Sequence, residues 1–251
     1  MIEKTEAIVL ALRPFSRTSL MVTWLSRDFG RIVTPVKGAN RPKSMFLGQI
    51  DIGYRSELLF YSRGSDGVHN IRETTPLDYR EGLRGNWRAS VAAGYVCALT
   101  AQSVETLLDS QGLFDDLEGT LAALAAGADP LDAIVGYEFA LAGRLGIRPD
   151  FGYCADCPCA DRRDCRFSIP DGHLACPARP NGGAAQSTVA LSREVLAALR
   201  KTQGGTLATA SGGRAALAVR RFMGIFLSHH LDLPLHSRRA AFAWLEGAAN
   251  A

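Results

Sequence analysis

A chain of 251 residues with 47% apolar content can build one large domain or two to three small ones, and it excludes a disordered polymer. No apolar run approaches the roughly 18 residues of a membrane helix, and MIEKTEAIVL lacks a leader-peptide pattern, so a cytoplasmic protein is expected. The net charge of +3 is unevenly spread: residues 1–80 hold twelve basic against eight acidic groups and the remainder sixteen against seventeen, so the positive field belongs to the N-terminal third.

That first third reads as strands. Glu6–Arg13, Leu20–Leu25, Arg31–Val36, Glu57–Tyr61 and Val68–Arg72 are short and rich in β-branched, leucine or aromatic residues. Arg13-Pro14, Phe29-Gly30, Lys37-Gly38 and Ser62–Gly67 supply the turns between them. Five such strands in succession suggest a small closed barrel, of which the OB-fold is the common five-stranded case, with a β-sandwich as the alternative. Within this third, VKGANRPKS (Val36–Ser44) places Lys37, Arg41 and Lys43 in one loop bent by Gly38 and Pro42. Arg13, Arg17 and Arg31 lie at strand ends. Such a loop suits a phosphate backbone, and Phe15, Trp24, Phe29 and Tyr54 are candidates for stacking on bases. The competing readings are a solvated surface for the loop and a core position for Trp24.

From Trp87 to Ala126 the pattern turns helical: Val91, Tyr95, Leu99 and Gln102 share a face, and Leu107, Leu108, Phe114, Leu117, Leu121 and Leu124 continue the apolar series. Cys97 reads as a small buried hydrophobe. Asp129-Pro130 is a helix start, with Asp as cap and Pro at the first helical position, and that helix ends at Gly146. Five of the six cysteines then fall between Cys154 and Cys176. Cys154 and Cys157 form a C-x-x-C knuckle, and eighteen residues separate Cys157 from Cys176, about the spacing of two knuckles in a zinc ribbon. Arg179 stands where a fourth cysteine would complete the second knuckle. The preferred Zn2+ set is Cys154, Cys157, Cys165 and Cys176, with Cys159 or His173 as alternates; a ribbon that has lost its metal is the other reading. NGGAAQST reads as a loop, Ser192–Lys201 as a helix capped by Ser192 and ended by Gly204-Gly205, and Arg214–Leu231 as a longer helix with Val219, Phe222, Met223, Phe226, Leu227 and His230 on one stripe.

The expected fold class is α+β: an OB-fold barrel over residues 1–80, a helical domain over 81–150 that resumes over 183–251, and a zinc-ribbon-like insertion over 151–182. Catalytic machinery is not apparent. The chain has no G-x-x-x-x-G-K-[ST], H-E-x-x-H or G-x-S-x-G, and its five histidines do not gather around a nucleophile, so a non-enzyme is expected.

Three blocks in order resemble the bacterial RecO family. They are Glu6–Ser44, opening EAIVL and ending in a KGANRPKS loop; the C-x-x-C window preceded by Gly146–Pro149; and HHLDLPLHSRR, which matches the family's ending at Pro234, Leu235, Ser237 and Arg238. Asn40 replaces a basic residue usual in that loop, and Arg17 stands where the family often has an acid. The resemblance implies a DNA-repair and recombination mediator of the RecF pathway, active after DNA damage, cytoplasmic and nucleoid-associated. It implies binding of single- and double-stranded DNA and strand annealing. The partners it implies are RecR, the acidic C-terminal tail of single-stranded DNA-binding protein (SSB) and, indirectly, RecA. Arg220, Arg221, Arg238 and Arg239 are the candidates for that tail. The rival expectation is an OB-fold and zinc-ribbon RNA-binding factor of transcription or translation.

Overall fold

The computed structural model describes residues 1–62, 68–103, 110–152, 164–175, 187–205, 213–231 and 236–247. The chain divides into two compact units, Met1–Ile134 with His236–Ala251, and Val135–Leu235.

The first unit opens with β1 (Ile2–Pro14), β2 (Leu20–Ser26), β3 (Gly30–Val36), β4 (Arg55–Tyr61) and β5 (Asn70–Asp78) in one antiparallel sheet of order β3-β2-β1-β4-β5. The two outer strands do not stay apart. Val33 bridges Val68 in parallel sense, and the His69 amide donates to the Val33 carbonyl at 2.8 Å, so the sheet curls until β3 meets the residues leading into β5. Alternation fills its interior: Ala7, Val9, Val22, Trp24, Ile32, Val36, Leu58 and Phe60 form one core. The Trp24 indole N–H donates to Thr34 Oγ1 at 2.9 Å, so this buried ring keeps a polar partner.

β1 departs from alternation, since Ala7, Ile8, Val9 and Leu10 are all buried. Ala7 and Val9 face the barrel core, while the outer face of β1 packs against α2 (Trp87–Ser103). A strand covered on both sides reads as an unbroken apolar run, which is what Ala7–Leu10 (AIVL) is. α1 (Glu81–Arg84), α3 (Ser110–Ala125) and α7 (His236–Gly247) complete the unit. Leu113, Phe114, Leu117, Leu121 and Leu124 bury one stripe of α3. Arg80, at φ 53° and only 3% exposed, joins sheet to helices: it pairs with Asp78 at 3.0 Å and with Glu118 of α3, and its Nε donates to the Gly53 carbonyl.

The second unit holds most of α4 (Pro130–Arg144), a three-stranded antiparallel sheet of β6 (Asp164–Ser168), β7 (His173–Ala175) and β8 (Thr188–Ser192) in order β7-β6-β8, and helices α5 (Arg193–Gln203) and α6 (Arg214–His230). An aromatic cluster makes its core. Phe151, Phe167 and Phe222 lie with ring centroids 4.9–5.4 Å apart, and Phe139 and Phe226 extend the group. Arg200 donates twice to the Phe151 carbonyl, at 2.9 and 2.7 Å, fixing α5 to the segment after α4.

The α+β expectation holds, with an N-terminal antiparallel sheet followed by helices. Caps fall where the sequence puts them: Asp129 Oδ1 accepts from the Leu131 and Asp132 amides, and Ser192 Oγ from Val195. Three elements differ from expectation. The fifth strand begins at Asn70 and runs to Asp78 because Glu73, Thr74 and Thr75 carry the ladder on β4, with Pro76 tolerated opposite Ser56 beside the bulge at Leu77. Thr188, expected in a loop, starts β8. His236–Gly247, read as an ending, forms a helix that buries Ala241, Phe242 and Leu245. Leu107 and Leu108 lie outside the described residues.

Candidate nucleic-acid interface

The basic loop is held, not loose. After Lys37 the chain turns at Gly38 (φ 69°), where a side chain would be strained and where the Arg41 side chain folds over the backbone. The Gly38 amide donates to Ser19 Oγ at 3.2 Å, and the Asn40 amide to the Thr18 carbonyl at 3.1 Å. Ala39, 5% exposed, plugs into the barrel core between them. Successive turns follow, Arg41 onto Gly38 and Ser44 onto Arg41. Phe46 and Ile50 pack the far side of the loop onto the same core.

These bonds bring two loops together. Pro14 pairs with Leu20 and Leu20 with Val36, so Arg13 and Arg17 of the first loop and Lys37, Arg41 and Lys43 of the second share one end of the sheet. Arg13, Arg17, Lys37, Arg41 and Lys43 are exposed, and among the described residues none pairs with a carboxylate. Two other arginines of the barrel, Arg27 and Arg55, are paired with carboxylates. Arg27 binds Asp115 at 2.7 Å, and Arg55 lies 3.7 Å from Glu118 and 3.8 Å from Glu6. The end of the sheet at Pro14, Leu20 and Val36 thus gathers five exposed cations that have no carboxylate partner among the described residues.

Arg31 does not join the group. It pairs with Leu25 at the start of β3, six residues or about 20 Å from Lys37 along the strand, and it is half-buried. The aromatic candidates divide as well. Trp24 and Tyr54 are core residues at 0% and 2% exposure, whereas Phe15 and Phe29 are 58% and 47% exposed. Phe29 packs edge-on against Phe60, which leaves Phe15, beside Arg13 and Arg17, as the stacking candidate in the basic loops.

Of the metal candidates, Cys154, Cys157, Cys159 and Cys176 lie outside the described residues. Cys165 and His173 are described, and they point to opposite faces of their sheet. Cys165 shares the Phe167 side of β6, while His173 sits opposite Ser168, whose side chain projects the other way. Side chains on opposite faces would not ligate the same ion. His173 is exposed, with Nδ1 3.1 Å from the Leu174 carbonyl, so only Nε2 remains to bind a metal. Among the described residues no group of three His, Cys, Asp or Glu side chains gathers to hold a metal ion.

The tail candidates fall on two helices. Arg220 and Arg221 belong to α6 and Arg238 and Arg239 to α7; the Arg238 guanidinium covers the Phe242 ring at 4.2 Å. The sequence reading missed Arg80, whose partners are remote in sequence, and two exposed tryptophans, Trp87 and Trp244, which composition alone does not distinguish from core. No described helix is long and apolar enough to cross a membrane.

Two family models cover the chain almost end to end. Residues 1–80 match "Recombination protein O N terminal" and residues 84–239 match "Recombination protein O C terminal". A protein named DNA repair protein RecO from Roseiflexus sp. is 31% identical over 175 residues, spanning 69% of this chain and 61% of its own length. RecO proteins from Bacillus mycoides and Bacillus cytotoxicus are 27% identical over 176 residues, 70% of each chain. With both family models matched in order and the strand, turn and helix pattern they cover laid out above, the chain belongs to the RecO family.

Proposed function

We propose that this protein is a DNA-repair and recombination mediator that acts without enzymatic turnover, binding single- and double-stranded DNA and annealing complementary strands. One observation carries the proposal: five exposed cations, Arg13, Arg17, Lys37, Arg41 and Lys43, are gathered by hydrogen-bonded loops at one end of the sheet, and among the described residues no carboxylate neutralises them. The strand order, with β3 closing onto the approach to β5, supports an OB-fold, a frame that presents such loops to nucleic acid. Cations that neutralise phosphates release condensed counterions, which drives binding, and they screen two backbones from each other while the bases stay free to pair.

The family reading adds RecR and the acidic SSB tail as partners and RecA as the protein loaded in consequence. Arg220, Arg221, Arg238 and Arg239 remain the basic groups offered to the tail. Zn2+, held by Cys154, Cys157 and Cys176 with Cys165, or alternatively Cys159 or His173, as fourth ligand, would act structurally by cross-linking the cysteine-rich segment. Fluorescence anisotropy with labelled single- and double-stranded DNA over a salt series, followed by an annealing readout on the same sample, tests the function. Salt-sensitive binding and faster annealing are expected. No binding at low salt overturns it, and tighter binding of RNA than DNA at equal salt moves the protein to RNA.

A further inference from the structure

The first unit carries a second feature that the basic loops do not use. Trp87, the first residue of α2, and Trp244 of α7 are 50% and 68% exposed, and with Ala243 and Gly247 they line an open groove of about 450 Å³. Exposing two indoles across a groove leaves a large apolar area in water, and such a surface marks a binding site more often than a folding one. The third tryptophan of the chain, Trp24, is fully buried.

The groove has a basic border. The Arg88 guanidinium lies 5.8 Å from the Trp87 ring. Arg239 sits one turn before Ala243 on the same face of α7. Among the described residues Arg88 and Arg239 form no ion pair, and Glu246, next to Gly247 in the chain, is already engaged. The pattern is flat aromatic faces beside uncommitted arginines. A polyanion whose repeating units carry planar apolar groups satisfies both parts at once, and that describes an unpaired nucleic-acid strand. A duplex satisfies only the charges, because its bases are already stacked.

We infer that the Trp87–Trp244 groove is a base-stacking site for single-stranded nucleic acid, separate in chemistry from the phosphate-binding loops. This rests on the proposed DNA binding and extends it. Phosphates are held at Lys37, Arg41 and Lys43 without regard to strandedness, while exposed bases are held at the two tryptophans.

Because only the groove tryptophans are exposed, intrinsic fluorescence reads the site directly. The full chain is titrated with a thymidine oligonucleotide and with an abasic deoxyribose-phosphate oligomer of equal length. Quenching by the first and not by the second is expected. By anisotropy, Trp87→Ala and Trp244→Ala each weaken single-strand binding by about tenfold and leave duplex binding unchanged, while Trp87→Phe and Trp244→Phe, which keep an aromatic face, retain most of the single-strand affinity. Duplex and single-strand binding by anisotropy without any quenching overturns the groove while the DNA-binding reading stands. No DNA binding at all overturns both. Quenching by an acidic, aromatic-containing peptide where the oligonucleotide gives none overturns the nucleic-acid assignment and gives the groove to a protein partner.

Discussion

A methyl group at position 82 would lie 2.0 Å from the Ala125 carbonyl oxygen and 2.8 Å from its carbon. Both are backbone atoms at the end of α3, so neither can swing away. α1 therefore approaches α3 as closely as it does only because residue 82 has no Cβ. Gly82→Ala is expected to cost about 3 kcal/mol, the upper part of the range for overpacking. Gly119, exposed on α3 with nothing near its missing Cβ, is the matched control; Gly119→Ala should stabilise by about 0.5–1 kcal/mol through helix propensity. Urea unfolding midpoints moving in opposite directions would support this packing, and a neutral Gly82→Ala would refute it. Cys97 is the other residue with a sharp consequence. It is fully buried, and burial pushes its thiol up to about 12, against a smaller opposing pull from the Arg80 charge. An acid whose folded pKa is raised keeps its full stabilising effect below the unfolded value of 9.0 and loses it as pH climbs toward 12, since the unfolded thiol ionises first. Peptide mapping after iodoacetamide treatment at pH 8 should find Cys97 unmodified in the native protein and alkylated in denaturant. Native alkylation at a free-thiol rate would contradict its burial.

Elements were legible where the signal was local. EAIVL, Asp129-Pro130, Ser192 and Gly204-Gly205 each act on neighbours within one turn or one strand, and each lies where the pattern put it. Elements whose reason is distant were not. β6 is only DCRFS, too short for alternation to stand out, and its partner β8 arrives some twenty residues later. α7 has a modest apolar face, and it is helical because α2 gives that face something to cover. The same distinction governs the site. Lys37, Arg41 and Lys43 are neighbours in sequence and in space. Arg31 is near them in sequence only, because an extended strand moves its two ends about 20 Å apart. Arg80 was invisible for the converse reason: Asp78 is adjacent, but Gly53 and Glu118 reach it only through the fold.

On the scale of the whole molecule the net charge of +3 conceals a division of labour. Arg27, Arg55 and Arg80 are consumed by Glu6, Asp78, Asp115 and Glu118 in tying the sheet to its helices, so they add little field outside the protein. Arg13, Arg17, Lys37, Arg41 and Lys43 are left over at the end of the sheet that holds Pro14, Leu20 and Val36, and a polyanion meets their charge undiminished. The two groups should therefore respond differently to substitution. Lys37→Ala, Arg41→Ala and Lys43→Ala combined remove exposed side chains that make no ion pair among the described residues, so the melting temperature should stay within about 1–2 °C of wild type, as surface substitutions do. The slope of log K against log salt on duplex DNA should become shallower by up to about 0.9 for each phosphate no longer neutralised, up to about 2.7 in all. Arg27→Ala reverses the pattern: it breaks the pairing with Asp115 and uncovers the Phe114 face that its guanidinium lies 4.3 Å above, so stability falls while the slope holds. Arg31→Ala, at the wrong end of β3, should also leave the slope in place. Equal slopes for the triple variant and wild type would remove the loops from the DNA-binding surface, and a change in slope for Arg31→Ala as large as that of the triple variant would mean that DNA runs along the strand rather than across its basic end.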